Sequence, residues 1–242
     1  MNFWISSGVS FFLKIIYLTC KIFMSKLNFI DALNFRYATK QFDSNYELDS
    51  EVLKGLMEAI NLAPTSYGFQ PFKVVLLQEG EIRQQLKGAA YNQPQITDSN
   101  SLLVFCAVDL MEENRFWDYV NLAIETRNLD REGTTEYFKG VEQMFLGMSP
   151  EDRINWASRQ IYIALGVAMS YLAINQIDSC PMEGFDPNGF DEILGIDKDG
   201  MKSTVLLTVG KRSEKDATAN MPKVRKAIDK LFVWESQLSV TN

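Results

Sequence analysis

The strongest constraint on the fold is one long apolar helix signal in the second half of the chain. Ser149-Pro150-Glu151-Asp152 supplies a hydroxyl for the helix cap, a proline in the first turn and acids at the positive end of the helix dipole. The helix is expected to run to about Ile174, with Ile154, Ala157, Ile161, Leu165, Ala168 and Leu172 on its core side. Ile163, Val167 and Tyr171 are apolar too, which predicts a central helix buried on more than one face. With 46% hydrophobic and 12% aromatic residues among 242, the chain has enough material for one large domain around it.

Three further segments read as buried strands from their β-branched and apolar content: residues 72–77, 102–108 and 203–210. A strand is also expected to start at Ile177. Phe29, Ile30, Leu33 and Phe35 suggest a short helix that runs into Arg36-Tyr37-Ala38-Thr39-Lys40. Asp49 or Ser50 can cap the next helix, with Val52, Leu53, Leu56, Met57 and Ile60 on one face. Ala63-Pro64-Thr65-Ser66-Tyr67-Gly68 ends it in a loop, and residues 81–90 form another helix. Residues 112–146 are more polar and helical, a candidate excursion or lid. Without regular βαβ alternation, this order points to an α+β domain, a sheet with helices packed around it, spanning residues 25–242.

Composition removes several chemistries. The chain has no histidine, so imidazole bases, His-based triads and His metal sites are excluded. Cys20, Cys106 and Cys180 form no CxxC pair, which suggests neither a disulfide framework nor a zinc site, and implies a reducing, cytoplasmic setting. A net charge of -7 without long basic runs argues against a nucleic-acid surface. Residues 11–23 are apolar but broken by Lys14 and Lys21, too short and too charged for a membrane span. Residues 1–23 are read as a dispensable extension ahead of Met24-Ser25-Lys26, with an interfacial anchor as the alternative.

The dinucleotide fingerprint and the P-loop are both missing. Arg36 and Lys40, four residues apart at a helix end, would share one side of a helical turn and could pair with a phosphate. Met221-Pro222-Lys223-Val224-Arg225 offers a second alternating pair, which an extended backbone would point one way. Either pair alone is more often solvated surface. Together they suggest a two-ended clamp. Cys180-Pro181-Met182-Glu183-Gly184-Phe185 is expected to make a sharp turn with free backbone N–H groups. Pro64-Thr65-Ser66 with Gln70-Pro71 is a loop carrying hydroxyls.

Taken in order, these four segments resemble the FMN-dependent nitroreductase family of NAD(P)H oxidoreductases, over roughly residue 25 to the C-terminus. The resemblance implies a nitroreductase-like α+β fold, with a central mixed or antiparallel sheet surrounded by helices, and a homodimer that holds FMN between its subunits. It also implies an NADH- or NADPH-dependent oxidoreductase acting on a small-molecule acceptor, with no protein catalytic residue and no metal. Arg36, Lys223 and Arg225 would then bind the FMN phosphate, and Tyr37 and Ala38, between the clamp residues Arg36 and Lys40, would also belong to the cofactor-binding set. Lys40 would lie near the ring's N1/O2 edge, and Asn92 would hydrogen-bond the ring. Pro181, Met182, Glu183 and Gly184 would form the turn near flavin N5. Pro64, Thr65, Ser66 and Gly68 would reach the other subunit's flavin, and Trp156 matches an aromatic position on the long helix. Tyr37 and Ala38 stand where well-known members carry histidine and serine, Gly68 where they carry asparagine, and Gln95 where a lysine serves nicotinamide substrates. Those departures bear on substrate preference rather than on the clamp.

Overall fold

The computed structural model describes residues 28–235. The apolar extension read over residues 1–23, including Cys20, lies outside the described residues. The helices are α1 (Phe29–Phe35), α2 (Ser50–Asn61), α3 (Glu81–Ala89), α4 (Gln95–Asp98), α5 (Arg115–Arg127), α6 (Arg131–Leu146), α7 (Pro150–Ile174) and α8 (Pro187–Leu194). The strands are β1 (Phe72–Leu77), β2 (Ser101–Val108), β3 (Asp178–Met182) and β4 (Met201–Gly210).

The sheet has the order β1-β2-β4-β3, and each neighbouring pair is antiparallel. β2 is buried at every position because it is central and covered on both faces. Leu103, Phe105, Ala107, Val205, Leu207 and Val209 face α7 and α2, while Leu102, Val104, Cys106 and Leu206 pack with Leu86 of α3 and Phe190 of α8. β1 reads almost as apolar but is only half-buried along most of its length. The expectation of a buried strand fails because β1 is an edge strand, and apolar content reports covered faces rather than a covered edge.

The predicted start of α7 is realised by Ser149, whose hydroxyl accepts the Asp152 N–H at 3.1 Å. One face of the helix is buried through Ala157, Ile161, Ala164, Leu165, Ala168 and Leu172. The second face is not. Ile163 is 44% exposed, and Val167 and Tyr171 are half-buried. With Phe29, Ala59 and Ile174 they line an open apolar groove of about 600 Å³. By length and composition α7 could cross a membrane, yet 44% of its most apolar window is buried inside the fold.

The 112–146 excursion consists of two helices, α5 and α6, closed around their own apolar cluster. Phe69 anchors it, with ring contacts to Tyr119 at 4.8 Å, Phe116 at 5.1 Å and Phe145 at 5.8 Å. Trp156 joins this cluster at 4.8 Å from Phe145, so its role here is packing.

Candidate functional site

The basic segment does not continue α1. Arg36 is already extended (φ -73°, ψ 140°), and the following residues lie beside β3: Ala38 pairs in parallel with Ser179, and the Thr39 N–H donates to the Ser179 carbonyl at 3.4 Å. The expected helical turn between Arg36 and Lys40 is therefore replaced by extended chain. Alternation along such a chain also places residues i and i+4 on one side. Both cations act on the same neighbour. Burial pushes the Cys180 thiol up, against the opposing pull of Lys40 and Arg36.

Arg36 is half-buried, and its Nε is buried without a hydrogen-bond partner. The C-terminal pair meets it there: Lys223 Nζ donates to the Arg36 carbonyl oxygen. Burial and then Arg225 hold the Arg36 guanidinium below its ordinary pKa. Lys223 is lowered by burial and by Arg36, Arg225 and Arg212. Among the described residues, none of Arg36, Lys40, Lys223 and Arg225 forms an ion pair with an acid. Like charges so gathered repel, and an anion placed among them would relieve the repulsion and complete Arg36.

Three residues absent from the sequence reading hold the two halves of this cluster together. Asp216, only 3% exposed, accepts five hydrogen bonds: from the Lys40 and Gln41 N–H groups at 2.8 and 3.2 Å, the Tyr37 hydroxyl at 3.0 Å, and the N–H and hydroxyl of Thr218 at 3.0 and 2.6 Å. Burial works against its charge, but the Thr218 hydroxyl and the Lys40 and Gln41 N–H groups hold its carboxyl well below the usual carboxylate range. Arg212 lies 4.5 and 4.6 Å from the ring centres of Phe35 and Tyr37. Its guanidinium grips buried Asp178, with Nε at 2.9 and 3.0 Å and NH2 at 2.5 Å. No local spacing could have shown these pairs, since Asp178 precedes Arg212 by 34 residues and Lys40 precedes Asp216 by 176.

Tyr37 is thereby committed to the protein itself. Burial and Asp216 push its hydroxyl up to about 12, and its ring packs on Arg212. Ala38 serves the bridge to β3.

Cys180, Pro181 and Met182 lie in β3 rather than in a turn. Pro181 is tolerated because β3 is an edge strand. The turn comes at Glu183-Gly184, where the Phe185 N–H donates to the Glu183 carbonyl at 3.0 Å. The Gly184 N–H faces no acceptor among the described residues. Gln93 Nε2 donates to the Gly184 carbonyl at 2.6 Å, which brings the 91–95 loop against this turn. Tyr91 and Asn92 both take left-handed backbone (φ 54° and 57°), and the Asn92 side chain is exposed. Gln95 is 4% exposed, and its side chain helps to lower the Cys180 thiol; a lysine could not be held in that position without a partner.

The 64–68 loop is held from elsewhere. The Ser66 N–H donates to Gln160 Oε1 at 2.9 Å, and the Thr65 hydroxyl accepts the Gln70 N–H at 3.0 Å, while Pro64 is exposed. Gly68 has φ 79°, and a Cβ there would stand 2.4 Å from the Tyr119 hydroxyl, which itself donates to the Tyr67 carbonyl at 2.6 Å. Gln160 and Tyr162, which reach the 64–68 loop and Glu183 respectively, are two residues apart on α7 and leave it about 200° apart. One chain thus holds this loop and the Glu183 turn on opposite sides of its central helix.

The family model described as the Nitroreductase family matches residues 33–211. A Staphylococcus saprophyticus protein provisionally named NAD(P)H nitroreductase is 32% identical over 218 residues, covering 85% of this chain and 95% of its own. Among solved structures, a Staphylococcus epidermidis protein described provisionally as an NAD(P)H:FMN oxidoreductase aligns with TM-score 0.76 at 23% identity, covering 86% of this chain and 98% of its own. A provisionally assigned nitroreductase from Exiguobacterium sibiricum, solved in complex with FMN, aligns with TM-score 0.75 at 20% identity, covering 86% and 98%. Its family match and its overall likeness to these relatives lead to one conclusion: the chain belongs to the nitroreductase family.

Proposed function

We propose that the protein is an FMN-dependent NAD(P)H oxidoreductase that works as a homodimer. The observation that carries this reading is the gathering of Arg36, Lys223 and Arg225 without an acid, around a buried Arg36 Nε that has no partner. A phosphate dianion fits that donor set, since charge-assisted contacts to guanidinium and ammonium are the strong ones. Arg36, Lys223 and Arg225 hold the phosphate. Lys40, exposed on the same run of chain, sets a positive charge at the ring's N1/O2 edge, where negative charge grows on reduction. Asn92 offers its free side-chain amide to the ring, and the Gly184 N–H stands toward N5, with Pro181, Met182 and Glu183 carrying it there. Tyr37 and Ala38 shape the clamp from within.

FMN held there would supply hydride-transfer chemistry, linking NADH or NADPH as donor to an acceptor such as a nitroaromatic or a quinone. The chain contributes binding and orientation, in keeping with its lack of histidine. Pro64, Thr65, Ser66 and Gly68 serve the second copy's cofactor, since Gln160 and Tyr162 hold this loop and the chain's own Glu183 turn from opposite sides of α7. The apolar groove on α7 supplies contact surface for that second copy. Free Cys106 and Cys180, both buried, suit a reducing cytoplasm.

The test is the absorbance spectrum and mass of whatever copurifies, followed by anaerobic titration with NADH and NADPH. FMN bound at one per chain and bleached by either nucleotide is the expected result. FMN that neither nucleotide reduces would defeat the reductase reading and leave a flavin-binding protein.

A further inference from the structure

The Glu183-Gly184 turn is exposed and ends an edge strand. Glycine adds no side chain to anchor it, so the orientation of its peptide must be set from outside. Two side chains do so. The Tyr162 hydroxyl, projecting from α7, donates to Glu183 Oε1 at 2.7 Å. Gln93 Nε2 donates to the Gly184 carbonyl at 2.6 Å and to the Ala90 carbonyl at 3.1 Å, so both of its amide hydrogens are used. One contact fixes the side chain before the 183–184 peptide and the other fixes the carbonyl after it. The N–H between them is the group without an acceptor among the described residues.

The supports are themselves rigid. α7 is packed on the sheet along its buried face, and the 91–94 loop is closed by the Asn92 N–H on the Lys87 carbonyl at 2.9 Å. Burial and the bond to Glu183 push the Tyr162 hydroxyl up to about 12, so it remains a donor at neutral pH.

We propose that Tyr162 and Gln93 are positioning residues, which aim the Gly184 N–H at the cofactor by holding the Glu183-Gly184 turn from two sides. This rests on the FMN reading above. Neither side chain needs to touch the flavin; each acts through the turn. Loosening the turn weakens a contact to the reacting edge of the ring while leaving the phosphate clamp intact.

The experiment uses the FMN-loaded protein and the variants Tyr162→Phe, Gln93→Leu, Glu183→Ala and the double variant Tyr162→Phe/Glu183→Ala. Tyr162 is 41% exposed, so its conservative change is compatible with folding. FMN Kd in Tyr162→Phe and Gln93→Leu should stay within about twofold of wild type, because the phosphate contacts dominate affinity. The rate constant for anaerobic reduction by NAD(P)H should fall about tenfold in each, the effect of losing one oriented hydrogen bond. The visible bands and midpoint potential of the bound flavin should shift with it. Glu183→Ala should match Tyr162→Phe, and the double variant should be no worse than either, as for two members of one contact.

Wild-type bands, potential and reduction rate in Tyr162→Phe and Gln93→Leu would overturn the positioning role alone, if the wild type is loaded and reduced normally. Additive losses in the double variant would overturn the Tyr162–Glu183 coupling. A wild type that binds no FMN would remove the functional reading and this proposal together.

Discussion

Two arginines show how differently this protein treats the same side chain. Arg83, on α3, is 3% exposed, and its own chain satisfies it completely. Its Nε donates to the Ile96 carbonyl at 2.7 Å, NH1 to the carbonyls of Gln78 and Asn100, and NH2 to the Ser99 carbonyl and hydroxyl at 2.7 and 2.8 Å. Arg36 is less buried, keeps one nitrogen unpartnered, and sits among other cations. Burial lowers the pKa of both. The nearby acids Asp98 and Glu79 oppose the shift at Arg83, whereas Arg225 deepens it at Arg36. A guanidinium completed by backbone carbonyls ties loops together, whereas one left incomplete among like charges keeps donor capacity that an anion can satisfy.

The comparison can be broken most forcefully at Arg83. Arg83→Met leaves four carbonyls without their donor, those of Ile96 and Ser99 in buried contacts and those of Gln78 and Asn100 in part-buried ones, and should reduce unfolding stability by about 3–5 kcal/mol. Denaturant titration measures this, and a loss below about 1 kcal/mol would mean that water replaces the arginine freely. Arg36→Ala should behave in the opposite way, with no loss of stability in cofactor-free protein but FMN affinity weakened by about 1.5–3 kcal/mol, roughly 10- to 150-fold. Riboflavin, which lacks the phosphate, should bind the variant and the wild type alike. Equal FMN retention by both proteins would remove Arg36 from the clamp.

Asp216, which joins the halves of the clamp, sharpens the contrast through pH. Its folded pKa is depressed, so its contribution is present above the ordinary carboxylate value of about 4 and is lost as pH falls through the folded value. Asp216→Asn should be less stable by about 1.5–2 kcal/mol at pH 7. The gap should begin to close as pH drops below about 5. A gap of constant size from pH 7 to pH 2 would show that the charge of Asp216 is irrelevant. The smallest effect concerns repulsion: Lys223→Met should change the stability of the cofactor-free protein by at most about 0.5 kcal/mol, because relief of screened repulsion is set against loss of the bond to the Arg36 carbonyl. Thermal melts should show the variant gaining on the wild type as salt is lowered, and a difference independent of salt would contradict the picture of crowded cations.

Local signals were legible where the chain decides its structure over a few residues. The cap at Ser149, the length of α7 and the buried strands β2 and β4 follow directly from cap chemistry and side-chain pattern. The pattern erred where it could not know what would cover a surface. Ile163 and Val167 are as apolar as Ile161 and Leu165, yet they line an open groove. β1 is as apolar as a central strand but stands at the edge. Arg36 and Lys40 share a side through extended chain rather than through a helical turn.

By itself the sequence determined the α+β class, the places of its main elements and the four segments that mark the family. These depend on composition and short-range periodicity, which each stretch carries alone. Tertiary structure decided how those segments meet. Asp216 reaches across 176 residues to Lys40, Arg212 across 34 to Asp178, and Gln93 across 91 to Gly184. Such pairs leave no spacing signature, because a hydrogen bond is selective about distance and angle in space and indifferent to separation along the chain.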